Sequence, residues 1–130
     1  MPEASSRGES SWSRKFRCAF RGVKRGIRGE SSFFVHFFVA ALVLTAAATL
    51  DADRTERALL WLCIVGVLTC ELFNSSIERL ARAVDENFNP HLRDALDIAG
   101  GAVLTASLGA AALGTAVLGR LALAACGYAV

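Results

Sequence analysis

Residues 58–78 read ALLWLCIVGVLTCELFNSSIE, an uncharged apolar run that passes without a break into a polar stripe. Glu71, Asn74 and Glu78 are spaced i, i+3, i+7, so a helix carries them on one face. A carboxylate at the centre of a membrane helix costs roughly 2.5–3.5 kcal/mol or more. Two carboxylates and an amide on one stripe therefore point to a functional site. The structural alternative is a polar seam that joins helices in lipid.

The rest of the chain sets this stripe in a membrane. The 130 residues are 54% hydrophobic although 20% are charged, and the mean hydropathy is +0.44. The charges gather near the N-terminus and in two short connections, which is the segregation of a polytopic membrane protein. Residues 32–50 carry no formal charge and include one titratable group, His36. At ~1.5 Å per residue such a run crosses a hydrocarbon core of roughly 30 Å. The expected architecture is all-α and integral to a membrane. Residues 1–11, rich in Ser and Glu, are expected to be disordered, and residues 12–130 form one membrane domain. Its predicted elements are an amphipathic surface helix over 12–29 and spans over 32–50, 57–85 and 91–119.

The surface helix is drawn from the stripe Trp12, Phe16, Phe20, Val23, Ile27, with Arg14, Arg21, Lys24, Arg25 and Arg28 over much of the remainder. That pattern suits a helix lying in the plane of an anionic lipid surface. Beside three spans it argues against nucleic acid as the partner. Gly22, Gly26 and Gly29 weaken the helix in isolation. Asp53 or Thr55 is placed to cap the second span, and Pro90 to open the third. On the third span Gly101, Thr105 and Gly109 form one stripe of small residues and Ala102, Ala106, Ala110 and Gly114 another, as close helix packing in lipid requires.

Cys18, Cys63, Cys70 and Cys126 form no CxxC pair, so they read as small buried hydrophobes rather than zinc ligands. There is no GxxxxGK[ST] loop and no GxGxxG. His36 and His91 read as structural or loop residues.

The basic N-terminal arm predicts a cytoplasmic N-terminus. Three spans then place Glu30, Glu71, Asn74, Glu78, Asp85, Asp94 and Asp97 at the cytoplasmic face. Oxygen ligands of this kind hold Mg²⁺, which with phosphates present needs only one or two protein carboxylates. A further carboxylate can accept a proton from an alcohol attacking phosphorus. Glu71 lies two helical turns deeper than Glu78, which fits a base in the deeper place and a metal ligand at the polar rim.

Four segments resemble the prokaryotic diacylglycerol kinase family, small membrane lipid kinases that include the undecaprenol kinases. They are residues 16–22 (FRCAFRG), 29–36 (GESSFFVH), 71–78 (ELFNSSIE) and 96–104 (LDIAGGAVL). The resemblance implies a homotrimer with active sites shared between subunits, in a bacterial cytoplasmic membrane. It implies phosphorylation of a lipid hydroxyl, that of diacylglycerol or undecaprenol, with ATP as donor and Mg²⁺ as cofactor. Carried over, Glu71 is the general base, Asn74 supports it, and Glu30 and Glu78 are the metal ligands that also organise ATP. Cys18, Asn87, Phe88, Asn89, Leu96 and Asp97 fall at nucleotide-binding positions, and Glu71 and Gly100 at lipid-substrate positions.

One departure stands out: the family usually has lysine where this chain has Leu96. A leucine cannot neutralise phosphate charge, although Arg93 lies one turn earlier. The alternative this raises is a catalytically weak or inactive relative that binds nucleotide or lipid.

Overall fold

The computed structural model describes residues 11–28, 30–84 and 89–128. All of its regular structure is helical: α1 (Ser11–Ile27), α2 (Ser31–Thr49), α3 (Arg54–Val84) and α4 (Pro90–Ala125). One N-terminal helix and three long helices are thus present, as the all-α expectation has it, and α4 continues past residue 119. The expected disordered stretch lies almost wholly outside the described residues. α2, α3 and α4 are each long and apolar enough to cross a membrane.

Local chemistry explains the helix ends. Asp53 Oδ1 accepts from the Glu56 N–H at 2.9 Å while Glu56 Oε2 accepts from the Asp53 N–H at 2.8 Å. This reciprocal capping box starts α3 and selects Asp53 over Thr55. The tight connection before it places Asp51 at φ 54°, a left-handed conformation in which Asp is enriched. Asn89 caps α4, its Oδ1 accepting from the N–H of His91 and Leu92, with Pro90 in the first turn. α4 ends on Gly127 at φ 84°. The Gly127 N–H reaches Ala124 O and the Tyr128 N–H reaches Leu123 O, which is a Schellman motif.

α3 touches each of the other helices, and its contact with α4 is the most extensive. A core of Ala47, Ala52, Leu60, Val117 and Leu121 closes the end of the bundle around the α2–α3 connection. The buried Glu56 pairs there with Arg120 of α4. At the other end Phe33 is 1% exposed and lies against Phe37, ring centroids 6.1 Å apart.

Of the two small-residue stripes on α4, one is used inside the subunit. Ala106, Ala110 and Gly114 are half-buried, and a Cβ on Gly114 would meet Leu60 at 4.0 Å. Gly101, Thr105 and Gly109 face outward, and a Cβ on either glycine meets nothing within 4 Å. The most apolar windows of α2, α3 and α4 are only 11%, 22% and 6% buried. Most of their apolar surface thus faces outward, as it must when the surroundings are lipid or further helices rather than water.

α1 crosses the polar end of α3. Arg79 Nη2 donates to the carbonyls of Arg25 at 2.6 Å and Arg28 at 3.3 Å, satisfying acceptors at the C-terminus of α1. A Cβ on Gly26 would lie 2.6 Å from Leu72 Cδ2, so glycine is what permits the close approach. Trp12, Phe16 and Phe20 remain exposed, and the contacts of Trp12 are with Phe16 and Lys15 of its own helix.

Candidate active site

Helical spacing places Glu71, Asn74 and Glu78 along one side of α3, but their surroundings differ. Glu71 is 4% exposed. Its Oε1 lies 3.8 Å from His36 Nε2 on α2. One turn on, Asn74 Nδ2 donates to Glu78 Oε1 at 2.9 Å. Asn74 therefore orients Glu78 rather than the deeper carboxylate.

Glu78 lies in a more open setting. Its Oε2 is 3.5 Å from Arg82 Nη2, and the same nitrogen is 3.9 Å from Glu30 Oε1. Arg82 Nε also donates to the Glu78 carbonyl at 3.2 Å. Glu30 occupies the N-cap position of α2 in extended conformation, yet its side chain makes no cap hydrogen bond. Its carboxylate turns instead toward Arg82. Two helices thus bring the Glu30 and Glu78 carboxylates onto one positive group.

That convergence of carboxylates favours a cation between them. A guanidinium stands where two carboxylates on different helices converge, and both supply oxygen donors only. Oxygen donors at a polar rim suit Mg²⁺, which takes few protein carboxylates and fills its shell with water and phosphate oxygens. Among the described residues no set of three His, Cys, Asp or Glu side chains gathers into a closed metal cage.

The other expected residues are more dispersed. Cys18 is exposed on α1, within 3.9 Å of Arg21 Nη2. Asn89 is occupied as the α4 cap. Asp97 is exposed, with Oδ2 4.0 Å from Arg93 Nε one turn earlier, while Leu96 is half-buried and Gly100 exposed. Asn87, Phe88 and Asp85 lie outside the described residues.

A cavity of about 650 Å³ runs between α2, α3 and α4. Val39, Val43, Ile64, Leu68 and Leu118 are among its walls, and His36 contributes to it. The groove is thus apolar along its length and reaches the histidine that faces Glu71. Two participants escaped the sequence reading. His36 passed for a structural residue and Arg82 for a topology charge. The signal for His36 was its depth, since it and Glu71 lie at similar distances from the α2–α3 connection in antiparallel helices.

The family model described as prokaryotic diacylglycerol kinase matches residues 17–118. The chain is 32% identical over 104 residues to a protein named diacylglycerol kinase from Synechocystis sp., covering 79% of this chain and 59% of that protein. It is 30% identical over 90 residues to a protein named undecaprenol kinase from Bacillus subtilis, covering 69% and 73%. The matched part is thus about three fifths of the length of the first of these relatives. No solved structure matches.

Proposed function

Since the chain belongs to the prokaryotic diacylglycerol kinase family, we propose that it transfers the terminal phosphoryl group of ATP to the hydroxyl of a membrane lipid. The acceptor is diacylglycerol or undecaprenol, the substrates that the two relatives' names carry. The observation that carries this reading is the division of environments along α3. Glu71 is buried beside His36, which lines an apolar groove, and Glu78 shares a polar rim with Glu30. A lipid hydroxyl arrives from the apolar side and a nucleotide from the polar side.

In the proposed reaction the lipid oxygen attacks the γ-phosphorus and its proton passes to the Glu71 carboxylate. An O–P bond forms to the lipid. The bond from the γ-phosphorus to the bridging oxygen breaks, and its electron pair leaves with ADP. Glu71 is suited to the role because its burial keeps competing water away. Glu30 and Glu78 are the residues to hold Mg²⁺, which supplies neutralisation of triphosphate charge. Asn74 keeps the Glu78 carboxylate oriented, and the groove takes the lipid chain.

The basic residues of α1 support a cytoplasmic N-terminus, with this site on the cytoplasmic side of a bacterial inner membrane. The bare aromatic stripe of α1 supports its immersion in the interface. The outward apolar surface of the spans, with the open Gly101–Gly109 face, supports assembly into a homotrimer.

The test is phosphoryl transfer from radiolabelled ATP in mixed micelles that offer diacylglycerol and undecaprenol separately. Labelling of one lipid by the wild type, abolished in Glu71→Gln with unchanged assembly, is the expected result. Intact oligomers that label neither lipid overturn it. That outcome would favour a second reading, a nucleotide- or lipid-binding relative without turnover, which the half-buried Leu96 in the usual lysine position supports.

A further inference from the structure

We propose that His36 is a positioning residue for Glu71, a role that rests on the lipid kinase reading and adds a residue from α2 to it. Two observations carry the inference. His36 Nε2 and Glu71 Oε1 are 3.8 Å apart, with side chains 22% and 5% exposed, and His36 forms part of the wall of the apolar groove.

A carboxylate this buried lacks the water shell that would otherwise satisfy its oxygens, and burial without a partner is costly. Among the described residues His36 is the polar side chain on another helix that lies beside the Glu71 carboxylate. Once drawn to hydrogen-bond distance, an N–H on Nε2 restrains rotation of the carboxylate and occupies one of its oxygens. The second oxygen is then left for the hydroxyl of a lipid whose chain fills the groove. The separation exceeds a direct hydrogen bond, and a side-chain adjustment of about 1 Å completes it.

Placement explains why α2 supplies this group. α3 already carries Glu71, Asn74 and Glu78 along one stripe, and Asn74 is committed to Glu78. A restraint on Glu71 perpendicular to that stripe must come from a neighbouring helix. His36 sits one and a half turns into α2, above the buried Phe33 that anchors that end of the helix.

The experiment compares wild type, Glu71→Gln, His36→Leu and His36→Gln, each purified as the assembled protein in detergent and checked for equal elution volume. kcat and KM are measured for lipid and for ATP separately. A misplaced catalytic group costs up to about 10²-fold in rate, so His36→Leu is expected to lose 10- to 100-fold in kcat (about that range) with both KM values little changed. His36→Gln sets an amide N–H near the place of Nε2 and is expected to recover most of the loss. A kcat for His36→Leu close to wild type overturns the inference. So does a rise in lipid KM alone, which would make His36 a lipid contact, or a His36→Gln variant as impaired as His36→Leu. An inactive wild type would overturn the kinase reading and this inference together. An active wild type with an inactive Glu71→Gln and an unaffected His36→Leu would overturn this inference alone.

Discussion

Glu56 and Arg120 join α3 to α4 at the end of the bundle away from Glu71, and their energetic coupling can be worked out from their surroundings. The Glu56 side chain is 9% exposed and that of Arg120 is 50% exposed. Fully exposed pairs contribute about 0.2–1 kcal/mol, and removing one partner from a buried pair costs about 3–5 kcal/mol. A buried carboxylate facing a half-solvated guanidinium lies between these limits, at about 2 kcal/mol. Glu56→Gln removes the charge but keeps an oxygen to accept from the Asp53 N–H, so the capping box survives. Arg120→Met keeps an apolar stem without the guanidinium. Each single variant is expected to lose about 2 kcal/mol, roughly a 30-fold change in the folded-to-unfolded ratio. The double variant is expected to lose about 2 kcal/mol rather than the ~4 kcal/mol of independent sites. Glu56→Ala also removes the cap and loses about 1 kcal/mol more. Reversible unfolding in detergent micelles, followed by near-ultraviolet circular dichroism on the four proteins of the cycle, measures the coupling. Losses that add to within about 0.5 kcal/mol would refute the reasoning, because the pair would then be a solvated contact and not a clasp.

The remaining predictions concern the other end of the molecule. Phe33→Ala empties a site that is 1% exposed and is expected to cost about 3–5 kcal/mol in the same unfolding assay. Glu78→Gln weakens the two-carboxylate rim and is expected to raise the Mg²⁺ concentration for half-maximal turnover by at least about 10-fold, read from a magnesium titration with chelator-stripped protein as the zero point. Arg93 lies on the same exposed face as Asp97 and is the cation nearest in sequence to the missing lysine. Arg93→Met is expected to lower kcat by about 10²-fold, and Leu96→Lys in that background to restore much of it. Unchanged kcat in Arg93→Met would remove Arg93 from the nucleotide site.

Much of the fold was legible because lipid imposes simple rules. Backbone groups in a bilayer must bond within their own helix, so uncharged runs of the right length specify spans with little ambiguity. The caps Asp53 and Asn89 act on backbone only a few positions away; the sequence narrowed the first to Asp53 or Thr55 and marked the second helix by Pro90, without singling out Asn89 as its cap. The order of polarity along 71–78 likewise appeared in the spacing alone. The stripes on α4 were legible as small residues, but not which of them serves the subunit interior. That depends on the rotation of α4 against Leu60, and composition does not encode it.

The candidate site was half readable. Glu71 and Glu78 announce themselves because carboxylates are costly next to an apolar run. Their partners do not. Arg82 looks like one basic residue among several until the start of α2 brings Glu30 to it, and Arg79 looks the same until the carbonyls of α1 end upon it.

The amino-acid order by itself therefore determined the helical class, the three spans, the basic surface helix and the one stripe of carboxylates, since each is a property of a single helix and its hydropathy. Tertiary structure alone decided that His36 faces Glu71, that Glu30 and Glu78 share Arg82, and that Glu56 reaches Arg120 across 64 positions of chain. Those pairings depend on the register and rotation of one helix against another, which are fixed by close packing such as that of Leu72 over Gly26 and Leu60 near Gly114. Periodicity fixes which face a residue occupies, and packing fixes what that face meets.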